Sequence, residues 1–161
     1  MVQIHPIPPL FDRHSRVLIL GSFPSVKSRE QAFFYGHKQN RFWRVVPALF
    51  GEQMPQTVEE KKAFALRHRL ALWDVIARCE IEGSADSTIR EVQANDLNVI
   101  LQHCDIRQIF VNGKTAEKHY RHLIEPKIGR TAICLPSTSP ANAAWSEEKL
   151  IGAWSVIKEY L

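Results

Sequence analysis

Val17-Leu18-Ile19-Leu20-Gly21-Ser22-Phe23-Pro24-Ser25 is the stretch that decides the fold. Four successive apolar residues without polar alternation read as a strand buried on both faces. That is the pattern of a parallel sheet covered by helices, not of a half-solvated antiparallel one. The run opens into a turn containing Gly21 and Pro24. Downstream stands Tyr35-Gly36-His37-Lys38-Gln39-Asn40-Arg41-Phe42-Trp43, a polar and aromatic segment that leads into an amphipathic helix. An apolar strand, a Gly/Pro turn, then polar and aromatic side chains before a helix is how an α/β domain builds a pocket.

The pattern extends outward on both sides. After Asn40, Phe42, Val45, Val46, Leu49 and Phe50 fall at i, i+3, i+4, i+7 and i+8 of a helix, which Pro47 should kink. Ser28 with Gln31 reads as a capping box for a short helix, and Thr57 with Glu60 as another that opens a helix to about Arg69. Residues 70–75 read as the second strand. Residues 80–95 are polar without a clear period and are expected to form a loop with about one helical turn. Leu97, Ile100, Leu101 and Cys104 share a helical face. Residues 108–111 read as the third strand, 115–123 as a helix, 131–135 as the fourth strand and 136–145 as a loop. Ser146 caps a last helix with Leu150, Trp154 and Ile157 inward. This alternation predicts one domain over residues 1–161, a three-layer α/β/α fold with a mainly parallel four-stranded sheet.

Ligands of such sheets bind beyond the C-terminal strand ends. The chemically informative residues fall there four times: residues 21–25 and Asn40 after the first strand, Trp73-Asp74 at the second, Asn112-Gly113 at the third, and residues 136–142 after the fourth. One composite site is expected.

Composition narrows the partners. The 161 residues are 45% hydrophobic and 24% charged, as in an ordinary globule long enough to bury a core. Twenty-one Lys and Arg against 17 Asp and Glu give a formal charge of +4, which admits a polyanion without requiring one. Cys79, Cys104 and Cys134 are far apart, so neither a zinc site nor an iron-sulfur cluster is expected, and reduced thiols fit a cytoplasmic protein. The first ten residues carry three prolines and no basic start, unlike a signal peptide. Without a Gly-x-Gly-x-x-Gly or phosphate-loop pattern, no nucleotide cofactor is expected. Without a Gly-x-Ser-x-Gly elbow, an α/β hydrolase is disfavoured. His119 and His122 share a helix face with no carboxylate or thiol in register and read as surface.

Each candidate has two readings. Tyr35 can stack on a flat ligand. Asn40 can hold a water or cap the helix it precedes, since Asn is among the best N-caps. Arg41 can meet a phosphate. Asn112 can read a base edge, or make the turn that Asn-Gly favours. Ser137, Thr138 and Ser139 can bind phosphates or form an ordinary Ser/Pro loop. Lys114 can meet a phosphate or stand in solvent. Phe23 is a pocket wall or a core residue, Trp73 is core, and Asp74 can fix loop geometry beneath the pocket.

These motifs resemble the uracil-DNA glycosylase superfamily, most of all its hypoxanthine-DNA glycosylase branch. The likeness is close over residues 16–46 and looser over 107–145. Mismatch-specific members carry a His-Pro-x-Asn-Arg-Phe-Trp segment, matched here by residues 37–43 with Lys38 in place of the proline and Tyr35 at the stacking position. The broader superfamily often has a catalytic Asn or Asp where Phe23 stands, and Phe23 cannot orient a water. The hypoxanthine branch resembles this chain in Gly-Ser-Phe-Pro-Ser and uses the later asparagine. The branch also carries a pair like Asp86-Ser87. The loop after the fourth strand resembles the motif that enters the minor groove, with Leu135 where a His can occur.

The resemblance implies a monofunctional DNA glycosylase. It implies catalytic roles for Asn40 and Asn112, and base contacts from Tyr35, Phe23, Gly21, Ser22 and His37. Ser25, Arg41, Lys114, Ser137, Thr138 and Ser139 would meet DNA. The implied substrate is DNA containing a damaged base, hypoxanthine first, met by a monomer without metal or cofactor. The alternatives are a uracil or mismatch-type glycosylase and a non-catalytic nucleic-acid-binding module on the same fold.

Overall fold

In the computed structural model, which describes residues 1–161, the chain opens with β1 (Val2–Ile4), β2 (Val17–Gly21), α1 (Val26–Gln31), α2 (Phe42–Leu49) and α3 (Val58–Arg67). It continues through β3 (Leu70–Asp74), β4 (Ile76–Glu80), a 3-10 turn at Asp86–Thr88, β5 (Arg90–Ala94) and α4 (Asn98–Leu101). It closes with β6 (Gln108–Asn112), α5 (Lys114–Leu123), α6 (Glu125–Ile128), β7 (Ala132–Leu135), α7 (Glu147–Trp154) and a 3-10 turn at Ser155–Tyr160.

The main sheet has the order β3-β2-β6-β7, all parallel. Every residue of β2 and β3 is buried, which is what their unbroken apolar runs require. The chain leaves β2 towards β3 but leaves β6 towards β7, in the opposite direction. Right-handed crossovers therefore put α1–α3 on one face and α5 on the other. Helix α7 packs against α2, completing the first layer. The core holds 36 buried hydrophobic residues in one cluster.

Several local expectations hold. Phe42, Val45, Val46 and Leu49 of α2 are buried, and Pro47 sits within its last turn. Thr57 accepts from Glu60 N–H at 3.1 Å at the start of α3, and Ser146 accepts from Lys149 N–H at the start of α7.

Others need correction. The cap of α1 is Ser25, whose hydroxyl accepts from Ser28 N–H at 3.1 Å, so Ser28 lies inside the helix it was expected to start. Residues 80–95 are not mainly a loop. They contribute to a second, antiparallel sheet, β1-β4-β5, with the expected helical turn at its tip. Register shifts at Ile76/Arg78 and Arg78/Glu80 break the alternation that would have revealed the hairpin. Only one turn of the helix expected after Leu97 forms.

Candidate active site

Three strands end in one row. Gly21 pairs in register with Asp74 on one side, and Leu20 pairs with Val111 on the other, so Gly21 also stands beside Asn112. Asn112 in turn pairs with the buried Leu135. A carboxylate, a bare backbone position and an amide therefore lie side by side where the β2–β6 topology switches, the place where such sheets bind ligands. A Cβ at Gly21 would lie 2.4 Å from Asp74 Oδ1, so any other residue here must push the Asp74 carboxylate aside. The row floors a cleft of about 270 Å³. That is smaller than the roughly 300–1,000 Å³ of sites for drug-sized ligands, and it suits a smaller one.

Gly21, Ser22, Phe23, Ser25, Tyr35, His37, Asn40, Asn112, Ser137, Thr138 and Ser139 all line this cleft; Arg41 and Lys114 do not. Their states differ from one another.

Asn40 lines the cleft one residue before the N-cap position of α2. Its Oδ1 accepts from Phe42 N–H, the first N–H of α2, at 3.0 Å, and from the Thr138 hydroxyl at 2.8 Å. On the other side of Thr138, the Asn112 Nδ2 donates to Thr138 Oγ1 at 3.0 Å, and Asn112 Oδ1 accepts from Thr138 N–H at 3.1 Å. Two backbone N–H groups can only donate, so they fix which end of each amide is oxygen. The network therefore runs one way, from Asn112 through Thr138 to Asn40. Asn40 keeps both Nδ2 hydrogens for the cleft, and Asn112 keeps one. Thr138 is fully buried. It is an internal strut, which corrects the expectation that it meets a phosphate. Thr138 engages one lone pair of the Asn112 oxygen and one hydrogen of its nitrogen, which leaves a donor and a second lone pair.

Arg41 is also corrected. Its guanidinium donates to the carbonyls of Ser139 (3.2 Å), Asn142 (3.1 Å) and Trp145. Its own N–H donates to Thr138 O at 3.0 Å. It ties the 136–145 loop to the start of α2. The hydroxyls of Ser137 and Ser139 accept from the backbone of Ser139 and Ala141 within that loop. Ser25 is engaged as the α1 cap. His37 Nδ1 accepts from Gln39 N–H at 3.1 Å. Lys114 is exposed. Phe23 is buried and meets His5 edge-on at 5.9 Å.

Tyr35 lies with one face on Phe42, ring centroids 4.1 Å apart and 12° from parallel. Its φ of 53° is in the left-handed region, which costs a non-glycine residue roughly 1–3 kcal/mol and is found where surroundings hold a functional residue in place. Its hydroxyl is buried at the floor without a hydrogen bond. Burial, then the Asp74 carboxylate, push its ionisation far above the usual tyrosine range, offset in part by the nearby Asn112 amide.

Three groups were missed or underplayed in the sequence. His5, from the N-terminal segment, sets Nε2 2.7 Å from Asp74 Oδ2. Its Nδ1 accepts from Ile7 N–H at 3.2 Å, so Nε2 carries the proton and donates to the carboxylate. No local pattern marks a histidine 69 residues from its partner. Asp74 is almost wholly buried and reaches the cleft floor rather than only supporting a loop. Asp86 lies on an exposed turn, yet its carboxylate faces the cleft and accepts from Ser22 Oγ at 3.2 Å. Burial of that carboxylate raises its ionisation above the usual range, opposed by the Ser22 and Thr115 hydroxyls and reinforced by the Asp74 charge.

Comparison with known proteins gives a consistent result. A model of the uracil DNA glycosylase superfamily matches residues 8–158. A hypoxanthine DNA glycosylase of Methanosarcina acetivorans is 36% identical over 144 residues, covering 88% of this chain and 90% of its own. A protein of the same name from Methanosarcina barkeri is 31% identical over 137 residues, covering 84% and 85%. A solution NMR structure of a candidate uracil DNA glycosylase from Methanosarcina acetivorans superposes with a TM-score of 0.78 at 31% identity, covering 98% of this chain and 99% of that one.

Proposed function

The chain belongs to the uracil DNA glycosylase superfamily, and from that premise we propose that its cleft hydrolyses the N-glycosidic bond of a deaminated base in DNA, hypoxanthine first. The observation that carries this reading is the one-way network Asn112–Thr138–Asn40, which aims two amide nitrogens into a base-sized cleft.

The base enters the cleft by leaving the stack, at a cost of a few kcal/mol that is least at a mismatch. The uncovered side of the Tyr35 ring receives it. Asn112 donates its remaining N–H to the base edge. As the glycosidic bond breaks, its electron pair leaves with the base and the sugar becomes oxocarbenium-like. Asn40 holds a water by donating to its oxygen, which leaves a lone pair for the anomeric carbon. The new C–O bond forms, and the proton the water loses ends on the departed base or in solvent. The products are the free base and an abasic site. Lys114 and the backbone of the 136–145 loop are the candidates for phosphate contact. The reading includes a monomer at work in the cytoplasm; its three unpaired cysteines support a reducing compartment.

Duplexes carrying a single deoxyinosine, uracil or xanthine, treated with alkali after incubation, test the reading. Protein-dependent strand breaks are expected, fastest at deoxyinosine. Asn40→Ala should slow single-turnover release on the order of 10²-fold or more, with near-normal affinity for abasic DNA. Asn40→Asp keeps both acceptor contacts and hence the melting temperature, but lacks the N–H donor and should also be slow. Binding of all three duplexes without abasic-site formation would establish the non-catalytic module instead. Faster release of uracil would establish the uracil-type alternative.

A further inference from the structure

Hydrolysis in this cleft needs a proton acceptor and a negative charge that Asn40 does not supply. Its amide donates to the water, and an N–H cannot take the proton that the water must lose. The sugar gains positive charge as the glycosidic bond breaks, and a fixed anion beside it would stabilise that charge. A flipped base fills the depth of its pocket, so the sugar stays at the mouth. Both needs therefore arise at the mouth.

Four ionisable side chains line the cleft: Tyr35, His37, Asp74 and Asp86. Burial, then the Asp74 charge, keep the Tyr35 hydroxyl protonated. His37 Nδ1 accepts from Gln39 N–H, so in the neutral ring Nε2 carries the hydrogen and donates. The Asp74 carboxylate is at the floor, 5% exposed and held by His5. Phe23, which follows Ser22 in the turn after β2, is buried and offers no polar atom.

Asp86 is the group left at the mouth. It starts the 3-10 turn at the tip of the β4–β5 hairpin, exposed to solvent, with its carboxylate towards the cleft. The tip is pinned to α1, where Val26 N–H donates to Ser84 Oγ at 2.9 Å and the Arg29 guanidinium to Gly83 O at 2.8 Å. Ser22 Oγ donates to Asp86 Oδ1 at 3.2 Å and takes one of the roughly four lone-pair sites of a carboxylate. The carboxylate is thus aimed and still has room to accept. Its raised ionisation makes it a stronger base than a free carboxylate.

We propose that Asp86 is a second catalytic residue of the glycosylase reading, standing against the sugar at the mouth of the cleft and accepting the proton of the water that Asn40 holds. The assignment rests on that reading and deepens it. As the C–N bond breaks, its electron pair leaves with the base, and the Asp86 charge balances the oxocarbenium. The water oxygen bonds the anomeric carbon. The O–H proton passes to the carboxylate, which becomes a neutral acid and then yields it to the departed base or to solvent.

Asp86→Asn separates chemistry from a mere latch, because its amide oxygen still accepts from Ser22 while charge and basicity are lost. Single-turnover release of hypoxanthine from a deoxyinosine duplex should fall about 10²-fold or more. The melting temperature should stay near wild type, and affinity for abasic DNA should be no weaker. Asp86→Ala leaves a gap beside Ser22 that a small anion can enter. Sodium formate should raise its rate about tenfold or more, and sodium chloride at equal ionic strength should not. A wild-type rate in Asp86→Asn would overturn the assignment, and so would an alanine variant that formate leaves unchanged. A wild-type protein inert on deoxyinosine, uracil and xanthine alike refutes the glycosylase reading itself. Wild-type activity with indifferent Asp86→Asn refutes only the role of Asp86.

Discussion

Thr138 makes three hydrogen bonds with its hydroxyl and backbone N–H, and exposes no surface. As one of three hydroxyl residues in a Ser/Pro loop it reads like a phosphate contact, and its neighbours Ser137 and Ser139 do sit in hydroxyl-capped turns. What distinguishes it is a pair of asparagines 98 and 26 residues away. Replacing it by an apolar isostere leaves the amides of Asn40 and Asn112 without a shared partner. Thr138→Val should therefore slow single-turnover base release about 10- to 100-fold and cost roughly 1–3 kcal/mol of stability. Thr138→Ser keeps the hydroxyl and should restore the rate to within about threefold, even if some packing is lost. A purely structural Thr138 would lower the melting temperature in the valine variant and leave the rate alone, and that result would remove the network from the mechanism. Asn40 shows the reverse relation between sequence and site. Its two readings, cap and chemistry, compete on paper but call on different atoms of one amide: the oxygen serves α2 and Thr138, which leaves the nitrogen to the proposed chemistry.

At the level of elements, the cleft depends on how the 136–145 loop is held. Arg41 sits at the start of α2 and donates to three carbonyls of that loop, while Asn142 Nδ2 donates to Ser137 O at 3.0 Å and Trp154 Nε1 to Pro136 O at 2.9 Å. A planar guanidinium can serve several carbonyls at once and a lysine ammonium does so poorly. Arg41→Ala should accelerate hydrogen exchange of the 136–145 amides while β2 and β6 stay protected, at a stability cost on the order of 2–3 kcal/mol. Arg41→Lys should recover little of it. Unaltered exchange in the loop would return Arg41 to the phosphate role that its neighbourhood in the sequence suggests. The β4–β5 hairpin teaches a related lesson. It brings Asp86 to the cleft, but its shifted pairing and exposed faces erase the period that makes a strand legible.

For the whole molecule, a formal charge of +4 and the exposed Lys38 and Lys114 fit a polyanion partner. DNA affinity should fall with salt, with a log–log slope of about −1.8 or steeper if two or more phosphates are gripped. Titration of an inosine duplex between low and moderate salt measures it, and a flat plot would be incompatible with DNA as the substrate. The alternation of strands and helices that builds the main sheet, its parallel character and the position of the cleft at its C-terminal edge were already determined by the sequence. Each depends on local periodicity, on short turn signals and on the fixed handedness of crossovers, all of which a chain carries in contiguous residues. The motif around Asn40 likewise placed the family, because its residues are adjacent. Only the tertiary structure decided which atoms face the ligand. His5 reaches Asp74, Thr138 joins Asn112 to Asn40, and Arg41 turns inward to a distant loop, because hydrogen bonds between buried groups are settled by which strands end side by side, and adjacency across strands leaves no trace in sequence spacing.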